Sequence, residues 1–251
     1  MKSAYRQVVV TDPRTEELAG RLAATRERLD AARAAAGRTE DVDLVVVTKF
    51  HPVADVIRLA RLGVRDLGEN RVQEAAAKAA DLAAADAELA TTVRWNMVGN
   101  IQSNKAVAVA GWADRVHSVH SVKVARGLDR GRARLADERD GLGPLPVLLQ
   151  LSLDGDTSRG GISREELPAL ADTVAGLEHL KLAGLMVVPP LEGEAAAHFA
   201  DAADVAAALR RAHPEATEFS AGMSGDLEAA IAAGSTCVRV GTAILGPRPV
   251  V

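Results

Sequence analysis

The chain has 251 residues, of which 48% are hydrophobic, enough for one large α/β domain with a substantial core. Its net charge is −4 and its pI is near 5.9, which argues against a nucleic-acid-binding surface. Six aromatic residues are too few for base-stacking platforms, and the single cysteine excludes an internal disulfide. A lone cysteine, no signal-peptide pattern and no membrane-length apolar run together predict a cytoplasmic protein.

The chain is predicted to begin with an arm and a helix. Residues 1–12 show no clear period and are predicted to form a flexible arm. Residues 13–36 are predicted to be helical, because leucines recur on one stripe and Gly37 ends the pattern. Four apolar residues at 44–47 then predict a strand buried on both faces, and Pro52 begins a helical pattern over 53–62.

Strand and helix signals alternate from there to the end of the chain. Further strands are predicted at 64–67, 94–98, 115–117, 146–153, 180–188, 217–219 and 236–240. Further helices are predicted at 71–90, 102–110, 122–137, 164–175, 194–212 and 226–233. Eight strand signals with helices between them predict a (β/α)8 TIM barrel. An open doubly wound sheet is the alternative, but no G-x-G-x-x-G turn follows the first strand, and no linker interrupts a single domain over 1–251.

Lys49 follows the first buried strand directly. In α/β proteins, ligands bind at the carboxyl ends of the strands. A partly desolvated amine at that position can attack a carbonyl group and form a Schiff base. Taken alone, the position is more typical of a solvated cation, so the rest of the sequence has to decide.

Two glycine-containing turns follow the last two predicted strands. The first contains Gly222 and Ser224, a candidate helix N-cap, and the second contains Gly241 and Thr242. In barrels, phosphate sites often lie in these two loops, although ordinary capped turns use the same residues. Arg239 lies in an otherwise apolar strand and is therefore either salt-bridged or in contact with a ligand.

A lysine after the first strand and a phosphate site in the loops after the last two strands would together bind a phosphorylated aldehyde. Pyridoxal 5′-phosphate (PLP) carries both groups. Over about residues 14–248 the sequence resembles the YggS/PROSC family of PLP-binding (PLP homeostasis) proteins, related to the alanine racemase N-terminal barrel. The motifs that carry the resemblance are VTK at 47–49, GENRVQE at 68–74, WNMVGNIQSNK at 95–105, HS at 117–118, GMS at 222–224 and VRVGTAI at 238–244.

The resemblance implies a fold and a set of cofactor contacts. The fold is the alanine racemase N-terminal domain-like barrel with an extra N-terminal helix. Lys49 would hold PLP as a Schiff base, the internal aldimine, and Arg239 would face the pyridine nitrogen and keep it unprotonated, which makes the ring a poorer electron sink. The remaining implied contacts are Asn70 beside the ring, and Ser220, Gly241, Thr242 and the amides near Met223 around the phosphate.

The sequence departs from the family pattern at three positions. Arg159 stands where the family commonly has lysine, and His51 where it often has another basic residue. The resemblance therefore does not extend to a second lysine that carries or passes on the cofactor. Ala221 replaces a methionine of the usual Ser-Met-Gly-Met, which is a milder change.

Other reactive residue types predict no further site. His117 and His120 are three residues apart, but no further ligands accompany them, so no metal site is predicted. Cys237 is predicted to be a small core residue. Arg71 and Lys105 fit either a structural role or the rim of the pocket.

Two functions follow from this pattern. The first is a PLP-binding protein of intracellular vitamin B6 homeostasis without committed catalysis, with apo PLP-dependent enzymes as recipients. The second is a PLP-dependent amino-acid racemase; a sugar-phosphate aldolase is a more distant alternative. Racemases of this fold take a second base, a tyrosine, from a further domain of the partner subunit, whereas Tyr5 is the only tyrosine here and the chain ends at Val251. We therefore expect the homeostasis protein, as a monomer with no nucleic-acid or membrane partner.

Overall fold

The computed structural model describes residues 12–138, 140–157, 160–190 and 192–248. Eight parallel strands form a closed barrel in chain order, in which the last strand pairs with the first. This closure confirms the predicted TIM barrel and excludes the open sheet. The strands are β1 (Asp43–Val47), β2 (Asp66–Glu69), β3 (Arg94–Met97), β4 (Arg115–Val119), β5 (Leu145–Leu151), β6 (Leu180–Val187), β7 (Glu218–Ser220) and β8 (Cys237–Val240).

Helices surround the barrel and link its strands, and an additional helix precedes β1, as the resemblance implies. The helices are α1 (Pro13–Ala35), α2 (Val53–Arg61), α3 (Val72–Ala85), α4 (Ala87–Ala90), α5 (Ala106–Ala110), α6 (Val122–Glu138), α7 (Leu167–Ala175), α8 (Ala195–Ala212), α9 (Leu227–Ala232) and α10 (Thr242–Leu245). Within the described ranges, none of them is both long and apolar enough to span a bilayer.

The N-terminal helix α1 begins at a capped residue and closes one side of the barrel. The Asp12 carboxylate accepts hydrogen bonds from the amides of Arg14 and Thr15, which satisfies donors that a helix start leaves free. Leu18 and Leu22 of the predicted stripe are buried and pack in the cluster that also contains α2 and α9. The predicted flexible arm, residues 1–12, lies outside the described residues except for this cap.

Three predicted helices differ from those in the structure. The helix predicted over 71–90 breaks at Asp86, whose side chain accepts from the Leu89 amide at 3.0 Å and starts α4. The helix predicted over 102–110 begins with a 3₁₀ turn, Ser103–Lys105. The helix predicted from 164 begins only at Leu167, because the preceding residues form turns. Polar side chains that bond to nearby backbone compete with regular helix at such points.

Candidate functional site

Lys49 lies just beyond β1, at the carboxyl end of the barrel, and opens into a cavity of about 260 Å³. The cavity brings Lys49 together with Gly241 and Thr242, which come from the other end of the sequence. Closure of the barrel explains this meeting, because β1 pairs with β8. The lining residues are Val47, Lys49, Phe50, His51, Gly241, Thr242, Gly246 and Arg248.

Gly241 forms part of the cavity wall where the chain leaves β8. A Cβ atom at this position would lie 3.1 Å from the carbonyl oxygen of Val47. That distance is tight, so a side chain here would press on the strand that carries Lys49. Glycine therefore keeps the two strand ends close and leaves the space between them open.

The Lys49 amine is partly buried, and its surroundings favour the neutral form. Burial lowers the pKa of Lys49, the nearby Arg248 cation lowers it further, and the Glu69 carboxylate opposes the shift. The neutral amine is the nucleophile, so a lowered pKa increases the reactive fraction near neutral pH.

Phe50 lines the cavity beside Lys49, and two arginines lie over its ring. Phe50 has a φ of 67°, a conformation that non-glycine residues seldom adopt. The Arg248 Cζ atom lies 3.8 Å from the centre of the Phe50 ring, and the Arg71 Cζ atom lies 4.8 Å from it. Arg248 thus belongs to the cavity although the sequence analysis did not select it. The only sequence signal was a cation soon after the predicted phosphate turn.

The loop after β7 contacts the start of α10. Ser224 Oγ accepts a hydrogen bond from the Ala243 amide at 3.3 Å, so the two predicted phosphate turns do lie together. The Met223 amide donates to Asp226 Oδ1 at 2.5 Å, which gives this predicted phosphate donor a partner within the chain. Gly222 has a φ of 95°, and a Cβ there would lie 2.7 Å from Ala230 Cβ, so the turn requires glycine.

Ser220 and Arg239 lie inside the barrel and bond to each other. Arg239 Nη1 donates to Ser220 Oγ at 2.6 Å, and its Nη2 donates to the carbonyl oxygen of Val187 at 2.8 Å. Both side chains are buried, and neither lines the 260 Å³ cavity. Among the residues that the structure describes, Arg239 has no carboxylate partner, and burial lowers its pKa. Arginine nevertheless keeps its proton, so the barrel interior holds an unpaired cation.

A chain of hydrogen bonds continues from Ser220 across the barrel. His117 Nδ1 lies 2.9 Å from Ser220 Oγ, and its Nε2 lies 3.1 Å from Asn96 Oδ1. Asn96 Nδ2 points to the acceptors Asp66 Oδ1 and two carbonyl oxygens, which assigns the amide orientation. Since Asn96 Oδ1 can only accept, His117 carries its proton on Nε2, and Nδ1 accepts from Ser220. Burial holds the pKa of His117 well below its ordinary value, so the ring is neutral.

Asn70, predicted beside the cofactor ring, follows β2 and is partly buried. Its backbone packs directly on Gly99, where a Cβ atom would lie 2.3 Å from the Asn70 carbonyl oxygen. Ser118 Oγ donates to the Gly99 carbonyl oxygen at 2.6 Å and holds that loop in place. Asn70 is thus fixed at the carboxyl end of the barrel but does not line the cavity that contains Lys49.

Neither a metal site nor a reactive cysteine is found among the described residues. Within the described residues, no three His, Cys, Asp or Glu side chains are grouped to hold a metal ion. Cys237 is buried, and burial raises its pKa to about 12, which disfavours a reactive thiolate. Arg159 lies outside the described residues.

The sequence matches a known family and is similar to proteins that carry a common name. The profile of the alanine racemase N-terminal domain matches residues 21–249. The chain is 49% identical over 224 residues to the pyridoxal phosphate homeostasis protein of Corynebacterium glutamicum, covering 88% of this chain and 98% of the relative. It is 39% identical over 238 residues to the protein of the same name from Escherichia coli K12, covering 92% and 97%.

Solved structures agree with this match. PipY of Synechococcus elongatus, solved with PLP bound, superposes with a TM-score of 0.74 at 36% identity and covers 91% of this chain and 100% of its own. Alanine racemase from Corynebacterium glutamicum superposes with a TM-score of 0.65 at 16% identity, covering 94% of this chain and 62% of its own. The second similarity concerns the fold alone.

Proposed function

This chain belongs to the family of pyridoxal phosphate homeostasis proteins, and we propose that it binds PLP at Lys49 in intracellular vitamin B6 homeostasis. One observation carries the proposal: Lys49 shares a single small cavity with Gly241, Thr242 and Arg248. An amine that can react with an aldehyde therefore lies beside groups that can bind a phosphate. PipY, whose structure contains PLP, covers 91% of this chain.

The chemistry of the cavity fits PLP. Its volume of about 260 Å³ is slightly below the roughly 300–1,000 Å³ of drug-sized ligand pockets, which suits a small cofactor. Thr242 is exposed at the start of α10 and can donate a hydrogen bond to a phosphate oxygen. Arg248 brings a positive charge to the same space, and a charged donor strengthens such bonds.

PLP, when bound, would supply an aldehyde for covalent attachment and an electron-withdrawing ring. Lys49 would hold the cofactor, because an amine can form a carbon–nitrogen double bond with an aldehyde whose oxygen is released as water. The lowered pKa of Lys49 increases the fraction of neutral amine near neutral pH. We propose that Arg239 faces the ring nitrogen of PLP. A guanidinium that keeps its proton would leave that nitrogen unprotonated.

We further propose that the protein catalyses no committed reaction on amino acids. Two-base racemisation needs a proton-transfer group on each face of the cofactor. Lys49 and His51 both come from the segment after β1, and no other described side chain of the cavity lining can serve as a base. Thr242 is a hydroxyl, and the Arg248 guanidinium does not give up its proton.

The absorption spectrum of the purified protein tests covalent binding at Lys49. We expect a yellow protein that borohydride bleaches, with the reduced adduct on Lys49 in peptide maps. Lys49→Ala should abolish the colour. The matched control is Lys181→Ala, since Lys181 is an exposed lysine of β6. An adduct on another residue, or a yellow Lys49→Ala protein, would refute the assignment.

We also propose that the protein works in the cytoplasm as a monomer and passes PLP to apo PLP-dependent enzymes. The reversible bond at Lys49 supports such transfer, and a single buried thiol suits a reducing compartment. Light scattering tests the monomer. Incubation of the loaded protein with an added apoenzyme tests transfer, which is disproved if the apoenzyme gains activity no faster than with the same concentration of free PLP.

A further inference from the structure

A buried lysine lies behind the cavity, on α3. Lys78 is only 6% exposed, and its Nζ donates three hydrogen bonds. The acceptors are the carbonyl oxygen of Thr48 at 2.8 Å, Glu69 Oε1 at 2.7 Å and Glu74 Oε1 at 2.7 Å. An ammonium group has three protons to donate, so all of them are used. A buried charge requires such partners.

These groups hold the backbone on both sides of Lys49. On one side, Thr48 offers its carbonyl oxygen to Lys78, and its hydroxyl donates to Glu69 Oε1 at 2.6 Å. On the other side, the Phe50 amide donates to Glu74 Oε1 at 2.6 Å. Lys78 joins the two carboxylates, so one cation ties together the residues before and after Lys49.

The contact with Phe50 has a particular consequence. Phe50 has a positive φ of 67°, and a non-glycine residue in that region costs roughly 1–2 kcal/mol. Such a conformation persists only where the surroundings impose it. The hydrogen bond from the Phe50 amide to Glu74, together with the arginines stacked on its ring, supplies that restraint. The turn therefore directs Lys49 into the cavity.

We propose that Lys78 is a positioning residue, which acts through Glu69 and Glu74 to hold Lys49 for attachment to the PLP aldehyde. This inference rests on the proposed function, but it concerns residues that do not line the cavity. The competing explanation is a buried ion pair that stabilises α3 and nothing more. The two differ in their effect on Lys49 itself, which can be measured without the cofactor.

The experiment compares Lys78→Met and Glu74→Ala in the PLP-free, full-length protein. Lysines are methylated with formaldehyde and cyanoborohydride, and the rate at Lys49 is followed by peptide mass spectrometry. If the hydrogen bonds of Lys78, Glu69 and Glu74 to Thr48 and Phe50 are lost, Lys49 moves toward solvent and its pKa rises toward the ordinary value. We expect its labelling near neutral pH to slow by about tenfold in both variants, because a higher pKa leaves a smaller fraction of the nucleophilic neutral amine.

Charge alone predicts a different pattern, which makes the pair of variants informative. Removing the Lys78 cation would raise the pKa of Lys49, whereas removing the Glu74 carboxylate would lower it and accelerate labelling. Glu74→Ala also leaves the buried pair of Glu69 and Lys78 intact, so that variant leaves no buried charge without a partner of opposite sign. Slower labelling in both variants supports positioning. Opposite changes, or none in either, overturn it.

Two controls and a second measurement complete the test. Lys78→Arg keeps the cation and should restore labelling toward that of the unsubstituted protein. Arg132→Met removes another buried cation, whose Nε donates to the carbonyl oxygen of Gly143. This variant should leave the labelling of Lys49 unchanged. Borohydride trapping of PLP then separates the two proposals. If the unsubstituted protein forms no Lys49 adduct, the proposed function fails. The methylation rates still show whether Lys78 positions Lys49.

Discussion

Arg239 Nη1 donates a hydrogen bond to Ser220 Oγ at 2.6 Å inside the barrel. The family resemblance assigns these residues to different parts of PLP, the ring nitrogen and the phosphate. In the structure the Ser220 hydroxyl is fully buried and also bonded to His117. The hydroxyl therefore has two partners within the chain, and Ser220 is placed to orient Arg239.

This placement gives a prediction that separates Ser220 from Thr242. Thr242→Ala should weaken binding of PLP by about 1–3 kcal/mol and hardly affect pyridoxal, which lacks the phosphate. Ser220→Ala should weaken both ligands by similar factors, because it disturbs Arg239. Titrations of the two variants with both ligands decide this, with Thr173→Ala as a remote control. A loss in Ser220→Ala that is confined to PLP would support direct phosphate contact instead.

The barrel could be predicted because several of its strands contain continuous apolar runs. Residues 45–47 and 182–187 are all buried, so they show no alternation of apolar and polar side chains. The exact helix bounds could not be predicted in the same way. Asp86 breaks a predicted helix through a local side-chain bond, and such a bond competes with a pattern that is otherwise helical.

The site was predictable only where the sequence itself marks a strand end. Lys49 follows an apolar strand directly, and Gly241 lies in a recognisable turn, so both were found. Arg248 and Lys78 were not, because their importance depends on which residues they meet in space. In the sequence, Lys78 looks like any other cation on a helix. Only the structure shows that it bonds to Thr48 and to the carboxylates.

The close approach of Gly99 to Asn70 predicts that Gly99 cannot be replaced. In Gly99→Ala, the new Cβ would lie 2.3 Å from the Asn70 carbonyl oxygen, so the loop that carries Asn70 must move. We expect a loss of about 1–3 kcal/mol in the free energy of unfolding, together with weaker PLP binding. Urea denaturation and a PLP titration measure the two effects. Gly143→Ala is the control, since nothing lies within 4 Å of its added Cβ; equal stability of the two variants would contradict the prediction.

The neutral His117 predicts how stability depends on pH. The pKa of His117 in the folded protein lies well below the ordinary 6.5. Below about pH 6.5, His117 therefore binds a proton in the unfolded chain but not in the folded protein. The free energy of unfolding should therefore fall as the pH drops, by up to about 1.4 kcal/mol per pH unit for this group. Burial also lowers the pKa of His51, which adds a contribution of the same sign.

Replacing the histidine tests this dependence in the PLP-free protein. His117→Asn should be less stable at neutral pH because hydrogen bonds at both ring nitrogens are lost. Its stability should nevertheless fall less steeply between pH 6.5 and 5. Denaturant midpoints across that range provide the measurement, and His198→Gln, at a partly exposed histidine of α8, should keep the original slope. An undiminished slope in His117→Asn would show that the ring is not held neutral.

The arrangement of the cavity finally predicts that added amino acids can replace Lys49 in its bond to PLP. The loaded protein should not racemise or transaminate these amino acids at a significant rate. Abstraction of an α-proton needs a base above the bound amino acid, and racemisation needs one on each face. Besides Lys49, the cavity lining offers His51, Thr242 and Arg248, and neither Thr242 nor Arg248 is a base near neutral pH. Arg239, if it faces the ring nitrogen, also weakens the ring as an electron sink.

Deuterium exchange at Cα of alanine and serine in heavy water measures this directly. We expect exchange no faster than with free PLP at the same concentration, in the unsubstituted protein and in His51→Gln alike. Lys49→Ala provides the baseline without the attaching amine. Exchange with many turnovers that disappears in Lys49→Ala would establish an enzyme. If it disappeared in His51→Gln as well, His51 would be the second proton-transfer group, and the prediction would be wrong.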